Sequence, residues 1–389
     1  MVTTHFQTET PTAIRTDLGA IFVSLELSRS TWLVTSLSPG GGERMSNHAV
    51  AGGNVSELLA RFTHLQEKAR SRSGRLFPIV TIQEEGLDGF WIDRVLETNG
   101  IESYVVDAAS IAASRRRKRA KTDKIDGEAL VRALLAFKRG EPRVCAMVKA
   151  PGPEEEDRRR ICRERRVLIA ERVEHVNRIK GLLFAQGIGG YQPLRKDRRR
   201  QLEDLRTGGR VLPPHLRAQI CRVLDRLELL LDHLAVVERE RDALVERVEC
   251  EAKAPEPATM LCAIKGVGPE VAAVLWTEGL CRQFDNRRQV AAYAGLAPTP
   301  WQSGTIDREQ GVSKAGNPRL RTTMIQLAWL WLRNQPSSAL SRWFIDRVQS
   351  NGGRHKKSTI VALARKLLVA LWKYVTFGIV IDGAVLKSA

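Results

Sequence analysis

The chain has 389 residues, 43% of them hydrophobic, and this length allows about two or three domains that each bury a core. Its 62 Lys and Arg outnumber its 44 Asp and Glu, and the net charge of +18 disfavours an ordinary metabolic enzyme and favours a polyanionic partner, nucleic acid first. A membrane protein is disfavoured because no run of about 18 apolar residues occurs. The six cysteines are scattered without a CxxC pair, which argues against zinc and disulfides and predicts a reduced, cytoplasmic protein.

The N-terminal part of the chain has the pattern of a mixed sheet with helices. Residues 1–18 are polar and are expected to form a loosely ordered lead-in. Apolar and β-branched runs predict strands over 20–27, 31–37, 47–51, 76–84 and 101–107. Helical periodicity predicts helices over 55–69, 91–99 and 122–138. Three strands followed by helix, strand, helix, strand and helix is the order of a ribonuclease-H-like domain, which we place at residues 19–140.

Four acidic residues fall where this order of elements brings them together. Glu26 interrupts an apolar first strand, Glu84 ends the fourth strand, and Asp123 and Asp126 share one face of the last helix. Hard divalent cations, Mg²⁺ or Mn²⁺, prefer such oxygen ligands, so the four carboxylates predict a metal site. The alternatives are a buried Glu26 paired with an arginine and an ordinary acidic first helical turn.

A dense basic run immediately precedes the two aspartates. Six of the seven residues from 115 to 121 are cationic: Arg115, Arg116, Arg117, Lys118, Arg119 and Lys121. Such a run attracts a phosphate backbone to the place where the carboxylates lie. The alternative is a solvated basic loop.

The middle of the chain is predicted to form an antiparallel coiled-coil arm at residues 154–253. A Pro- and Gly-rich linker over 138–153 precedes it, and a glycine breaker at 187–190 and a basic loop at 196–200 separate helices over 154–186 and 214–252. In the second helix the stripe positions alternate spacings of three and four, as in a heptad repeat: Leu227, Leu230, Leu234, Val237, Arg241, Leu244 and Val248. An ordinary helical bundle is the alternative.

Residues 257–389 are predicted to form a mainly helical domain, so the fold class is α/β followed by α. The glycine turn with Lys265, Gly266 and Gly268 is typical of a helix-hairpin-helix, whose backbone N–H groups bind a phosphate without reading bases. Packing alone also explains such a turn. A polar loop over 299–308 and a basic turn after it contribute further candidates for nucleic-acid binding and for stabilising developing charge: Arg308, Lys314, Arg319 and Arg321.

In their order along the chain, several motifs resemble one known family. They are SLELS (24–28), EEGLDGFW (84–91), KTDKID (121–126), IKGVGP (264–269), AYAGL (292–296), SG (303–304) and SKAGN (313–317). Over about residues 20–375 the chain resembles the DEDD-class insertion-sequence transposases. These recombinases have a Holliday-junction-resolvase-like N-terminal domain, a coiled coil and a serine-bearing C-terminal domain.

The resemblance implies a bacterial enzyme that excises and inserts its own DNA element, guided by a structured bridge RNA. It also implies a homo-oligomer, dimer to tetramer, in which the acidic site of one protomer meets the serine of another, acting in the cytoplasm at the nucleoid. Carried over by motif, the metal-binding and catalytic tetrad is Glu26, Glu84, Asp123 and Asp126, and the nucleophile is Ser303. Glu26 departs from the Asp that the family pattern has, and its extra methylene predicts a shifted geometry. The neighbouring Glu85 leaves the register at Glu84 open.

Two other functions remain open at this point. In a metal-dependent, structure-specific endonuclease, water attacks and Ser303 is an ordinary turn serine before a glycine. In a catalytically degenerate nucleic-acid-binding protein, the Glu26 departure has cost the activity. A serine without a histidine near it in sequence is a poor nucleophile. In the transposase hypothesis, activation of Ser303 by the metal is therefore an attractive mechanism.

Overall fold

The computed structural model describes residues 19–41, 44–86, 90–111, 122–142, 144–251, 257–282, 284–303, 306–350 and 352–387. For residues 109, 245–251, 300–303 and 306–310 the description covers the backbone alone. The predicted lead-in and the basic run 115–121 lie outside the described residues. The chain divides into two compact units, Met1–Pro151 and Gly152–Ala389.

The first unit is built on a mixed six-stranded sheet. Its strands are β1 Ile21–Leu27, β2 Thr31–Leu37, β3 Ser46–Ala51, β4 Ile79–Glu84, β5 Glu102–Val106 and β6 Met147–Val148. Their order is β3-β2-β1-β4-β5-β6, with β1, β4 and β5 parallel and the other neighbours antiparallel. The helices are α1 Val55–Ser73, α2 Trp91–Thr98 and α3 Asp123–Lys138. The predicted α/β class of this region is confirmed.

Alternation along the strands buries both faces of this sheet. On one face, apolar side chains of β1 pack with α1 and α2: Ile21, Val23, Leu25, Leu58, Phe62, Ile92 and Leu96. On the other face, the alternate positions pack with α3: Phe22, Val80, Ile82, Val106, Leu130, Val131 and Leu134. The second face is the one that carries Glu26 and Glu84, because they follow Phe22 and Ile82 in the alternation.

The second unit begins with the helices predicted as a coiled coil. They are α4 Pro153–Phe184, α5 Arg198–Asp204 and α6 Pro214–Glu251, with a small hairpin of β7 Arg206–Thr207 and β8 Arg210–Val211 before α6. We call residues 153–251 the arm. Its core contains four positions of the predicted α6 stripe packed with residues of α4: Leu227, Leu230, Leu234 and Val237 against Leu168, Ile179 and Leu183. The Val248 side chain lies outside the described atoms. The stripe position Arg241 is buried and forms an ion pair with Glu270, with 3.0 Å between Nη1 and Oε2.

The rest of this unit is mainly helical. Its helices are α7 Pro257–Cys262, α8 Pro269–Leu275, α9 Arg287–Tyr293, α10 Pro318–Asn334, α11 Ala339–Ser350 and α12 Lys356–Phe377, with a π-helical turn at Trp276–Leu280. The strands β9 Pro298–Ser303 and β10 Ile306–Val312 form a hairpin. The core lies between α10 and α12 and contains Met324, Leu327, Trp331, Leu363, Leu367 and Leu371. In the described part of the chain, no helix combines the length and apolarity needed to cross a membrane.

Three segments expected to be irregular are regular. The predicted linker contains β6, because Met147 and Val148 pair with Val106 and Val105 at the sheet edge. The basic loop at 196–200 runs into α5, which buries Leu202. The polar loop at 299–308 forms most of the β9–β10 hairpin. In each case a few apolar or β-branched residues among polar ones decided the structure.

Close packing of α3 on the sheet leads to a first prediction. A Cβ on Gly127 would lie 2.5 Å from Thr35 Oγ1 and 3.2 Å from Ser24 Oγ. Gly127→Ala should therefore push α3 away from the sheet and lower the free energy of unfolding by about 1–3 kcal/mol, measured by chemical denaturation. Gly181 in α4 has no atom within 4 Å of such a Cβ, so Gly181→Ala should instead stabilise by about 0.5–1 kcal/mol. Equal stabilisation by both changes would contradict the packing.

Candidate active site

Strand register brings two of the predicted carboxylates side by side. Ser24 pairs with Ile82 and Leu25 with Gln83 in the parallel β1–β4 ladder. The next positions are Glu26 and Glu84, so both lie at the same end of adjacent strands and on the α3 face of the sheet. Glu26 is half-buried and Glu84 is exposed.

The first turn of α3 brings the other two carboxylates to this face. Thr122 caps the helix, and its Oγ1 accepts a hydrogen bond from Ile125 N at 3.3 Å. Asp123 and Asp126 belong to the acidic first turn, where the helix dipole favours negative charge. One turn on, Ser24 Oγ donates to Gly127 O at 2.8 Å and fastens the helix to β1 two residues before Glu26.

The donor set fits a hard divalent cation in its chemistry, since all four groups are carboxylates. Within the ranges that the structure describes, no three His, Cys, Asp or Glu residues are already arranged to hold a metal ion.

Strand alternation favours Glu84 over Glu85 as the ligand. Glu84 is the last residue of β4 and shares the α3 face with Ile82. Glu85 lies beyond the strand, where its backbone N–H donates to Val106 O at 3.0 Å. Strand alternation therefore supports Glu84 and does not extend to Glu85.

Ser303 lies in the second unit, as the last residue of β9 and opposite Ile306. Arg308 is opposite Trp301 in the same ladder. The side chains of Ser303 and Arg308 lie outside the described atoms. Beyond Glu309 the register shifts at Gly311, whose φ is +92°. The structure thus places the predicted nucleophile at the far end of a two-stranded hairpin.

The base of this hairpin is an interlock of two glycine turns. Backbone hydrogen bonds join Ser313 N to Ala297 O (2.9 Å), Lys314 N to Gly295 O (3.2 Å) and Asn317 N to Tyr293 O (2.7 Å). Gly295 and Gly316 both have positive φ, and a Cβ on either would overlap a backbone carbonyl of the other turn. The AYAGL and SKAGN motifs are therefore explained by this contact, which sets the direction of the hairpin.

The base of the hairpin is also linked to a buried carboxylate, Glu278, through the side chain of Asn317. Asn317 Oδ1 caps α10 by accepting from Arg319 N and Leu320 N, both at 3.0 Å, and its Nδ2 donates to Glu278 Oε2 at 3.0 Å. Glu278 belongs to the π-helical turn and is only 2% exposed. One asparagine side chain thus joins α10, the π-helical turn and the hairpin base.

Arginines neutralise this carboxylate and connect it to the arm. Arg163 of α4 donates to both Glu278 oxygens, at 3.1 and 3.2 Å, and Arg319 Nη1 lies 3.4 Å from Oε1. Burial by itself raises the pKa of Glu278, but the hydrogen bonds and charges of Arg163, Asn317 and Arg319 outweigh it and hold that pKa below its usual value. Glu278 is therefore a buried anion at neutral pH.

The basic candidates have different environments. Arg319 is mostly buried, bonded to Glu278 and to Cys162 O, and has a positioning role inside the protein. Lys314 is exposed with a φ of +58°, rare for a residue with a side chain. Arg321 Nη1 donates to Lys314 O at 2.8 Å. Both flank the hairpin base.

The glycine turn between α7 and α8 is held by the end of the chain. Gly266 has a φ of +91°, and a Cβ there would lie 2.6 Å from Asn334 Cβ. Gln335 Nε2 donates to Lys265 O at 2.8 Å, and Lys387 Nζ donates to Val267 O at 3.0 Å. Packing therefore accounts for Gly266, while phosphate binding by Lys265 and Gly268 stays a prediction.

Sequence reasoning missed Glu278 and Arg163. The signal was available, because Glu278 interrupts the apolar run 271–280 as Glu26 interrupts the first strand. The same rule, that a buried acid requires a cation or donors, applies to both.

Comparison with known proteins identifies relatives of the chain. Residues 258–343, which include Glu278, Ser303 and Asn317, match the family model described as "Transposase IS116/IS110/IS902 family". A Sinorhizobium fredii protein named "Putative transposase y4rJ" is 69% identical over 398 aligned positions, covering 100% of both chains. The transposase for insertion sequence element IS1111A of Coxiella burnetii is 28% identical, over 57% of this chain and 59% of its own length. The pilin gene-inverting protein of Moraxella bovis is 28% identical, over 31% of this chain and 37% of its own.

The Asn317–Glu278 contact leads to a second prediction with a pH signature. Asn317→Asp keeps the cap of α10 but places a second carboxylate against Glu278. We expect a loss of about 2–4 kcal/mol of unfolding free energy near neutral pH. A second carboxylate raises the pKa of the pair in the folded protein, so this loss should be full at neutral pH and should shrink as the pH falls through that raised pKa, where one carboxyl protonates and restores a donor.

Asn286 provides the matched control, since its Oδ1 caps α9 in the same way without a carboxylate partner. Asn286→Asp should change stability little at any pH, because Asp is an equally good cap. Chemical denaturation at several pH values measures both variants. Equal effects of the two changes would show that the Glu278 contact contributes nothing.

Proposed function

The chain belongs to the IS116/IS110/IS902 family of transposases, and from this premise we propose that it excises and inserts a bacterial insertion sequence. The proposed reaction uses the acidic tetrad to hold a metal and Ser303 as the nucleophile, and a bridge RNA guides it. The main support is that register and helix placement bring Glu26, Glu84 and the first turn of α3 to one end of one sheet face.

The proposed fold of the first unit is ribonuclease-H-like. The strand order β3-β2-β1-β4-β5, antiparallel through β1 and parallel after it, supports this assignment. In such a sheet the ends of β1 and β4 adjoin the last helix, and acidic residues there share one substrate-facing edge. The helix-hairpin-helix assignment of α7 and α8 belongs to the same proposal.

The tetrad is proposed to hold Mg²⁺ or Mn²⁺. When bound, the metal supplies Lewis acidity at the scissile phosphate and lowers the pKa of the attacking hydroxyl. The protein's part is to keep Glu26 and Glu84 in register and to hold Asp123 and Asp126 on the capped helix. The extra methylene of Glu26 lengthens its reach from β1.

Ser303 is proposed to attack the phosphorus of a DNA phosphodiester. The bond from Oγ to phosphorus forms as the bond to a deoxyribose oxygen breaks. The serine proton passes to solvent or a carboxylate, and the departing sugar oxygen takes up a proton. A phosphodiester replaces a phosphodiester, so the energy of the bond is conserved and the strand can be rejoined without ATP.

Basic groups are proposed to hold the nucleic acid on both sides of this chemistry. Lys314, Arg308 and Arg321 flank the serine hairpin, and the run from Arg115 to Lys121 precedes α3. The tetrad and Ser303 belong to different units of the chain, which is compatible with the expected pairing of one protomer's acids with another's serine in a dimer or tetramer.

A third prediction tests the nucleophile. Protein, element-end and target DNA, magnesium and the structured RNA encoded beside the gene should give a covalent protein–DNA adduct, detected on a denaturing gel. Ser303→Ala should abolish the adduct because it removes the hydroxyl proposed to attack the phosphorus. Ser313→Ala is the control and should leave it intact. Strand cleavage without an adduct in the wild type would favour the endonuclease alternative.

A fourth prediction tests the metal ligand with neighbouring residues. Glu84→Gln should slow recombination by about 100-fold or more, because it removes one charge that holds the metal. Glu85 lies beyond the end of β4, so Glu85→Gln should change the recombination rate little. Cation binding measured by titration without DNA should weaken for Glu84→Gln alone. The reverse ranking would move the ligand to Glu85.

A further inference from the structure

The end of the arm holds a formed pocket that the proposed chemistry does not use. We call residues 180–217 the arm tip. The cavity has a volume of about 390 Å³ and is lined by Leu183, Phe184, Ile188 and Tyr191, with Lys180 and Gln192 as polar lining residues. This volume is within the range of pockets that bind small organic groups. Phe184, although aromatic, is 78% exposed.

Hydrogen bonds hold the backbone and one aromatic side chain of the pocket in place. Gly187, with a φ of +73°, closes α4 through hydrogen bonds from Gly187 N to Phe184 O (2.9 Å) and from Ile188 N to Leu183 O (3.0 Å). Tyr191 is buried, and its hydroxyl donates to Arg198 O at 2.7 Å. Burial raises the pKa of Tyr191 to about 12, so this donor stays protonated. Binding therefore costs little ordering of the pocket floor.

The surface around the pocket is strongly basic. The arm tip has nine Lys and Arg against three Asp and Glu. Some of these cations are neutralised internally, such as Arg198 and Arg199 by Glu228. Five exposed cations have no carboxylate partner among the described residues: Lys180, Lys196, Arg200, Arg206 and Arg210.

We propose that the arm tip binds an unpaired segment of DNA strand. One base packs against the Phe184 ring over the apolar floor, the Gln192 amide meets the base edge, and Lys180 contacts the adjacent phosphate. Exposed aromatic rings beside a basic surface bind single strands in this way with little sequence preference. The proposal uses the family's action on DNA and does not depend on the tetrad or on Ser303.

The chemistry of the tip disfavours other occupants. A DNA duplex keeps its base faces stacked, so Phe184 has no partner in it. A second copy of the tip carries the same excess of positive charge and is repelled. An apolar peptide would leave the five exposed cations without counter-charges.

The test uses the full chain and hydrogen–deuterium exchange in a magnesium-free buffer, where the proposed strand transfer is silent. A short oligothymidylate should slow exchange of amides in residues 185–192. Phe184→Ala should raise the oligonucleotide concentration for half-maximal protection about tenfold, the loss expected from one base stacked on an aromatic ring. Phe184 is exposed, so this change leaves the fold intact.

Phe377→Ala is the matched control, because Phe377 is 61% exposed at the end of α12, and it should leave the protection unchanged. Lys180→Gln, a second variant, should weaken protection and flatten its dependence on salt concentration. Equal protection in Phe184→Ala, or equal protection by duplex, would overturn the proposal. Tighter protection by an oligouridylate of the same length would show that the ligand is RNA and not DNA. A change of oligomeric state in Phe184→Ala would make the pocket a contact between copies.

Discussion

The second unit depends on the neutralisation of one buried carboxylate. Glu278 cannot be left without donors in the interior, because an isolated buried charge costs several kcal/mol. The donors are supplied by Arg163, Asn317 and Arg319. Each of these residues also has its own structural role. Arg163 fixes the arm, Asn317 caps α10 and Arg319 joins α10 to α4. The hairpin that carries Ser303 begins at this junction, because Asn317 contacts Glu278 through its side chain and Tyr293 O through its backbone N–H.

The first unit depends instead on strand register. A shift of one residue between β1 and β4 would turn Glu26 or Glu84 to the other face of the sheet. The apolar residues Phe22 and Ile82 prevent that shift because they must face α3. The Ser24–Gly127 hydrogen bond then fixes the helix that carries the two aspartates. The same alternation that builds the core therefore selects which carboxylates can share a ligand.

Most of the strands and long helices could be predicted from the sequence, because their burial follows simple periods. The strands β1 and β2, the Thr122 cap and the stripe of α6 from Leu227 to Val237 match their expected places. Short elements could not be predicted, since β6 has two residues and α5 has seven, too few to show a repeated period of burial. The Glu278 network also escaped, because its partners lie up to 115 residues apart in sequence. Long-range ion pairs leave no periodic signal.

Arg163 lies near the start of α4, and the pocket with Phe184 lies at its other end. At about 1.5 Å per residue, the two are separated by roughly 30 Å of continuous helix. The Arg163–Glu278 ion pair therefore holds α4 at the end opposite the pocket. A tilt of α4 by about five degrees at this ion pair would move the arm tip by roughly 3 Å over such a length. The contacts of Glu278 with Arg163 and with Asn317 are the route by which a displacement of α4 would reach the base of the serine hairpin.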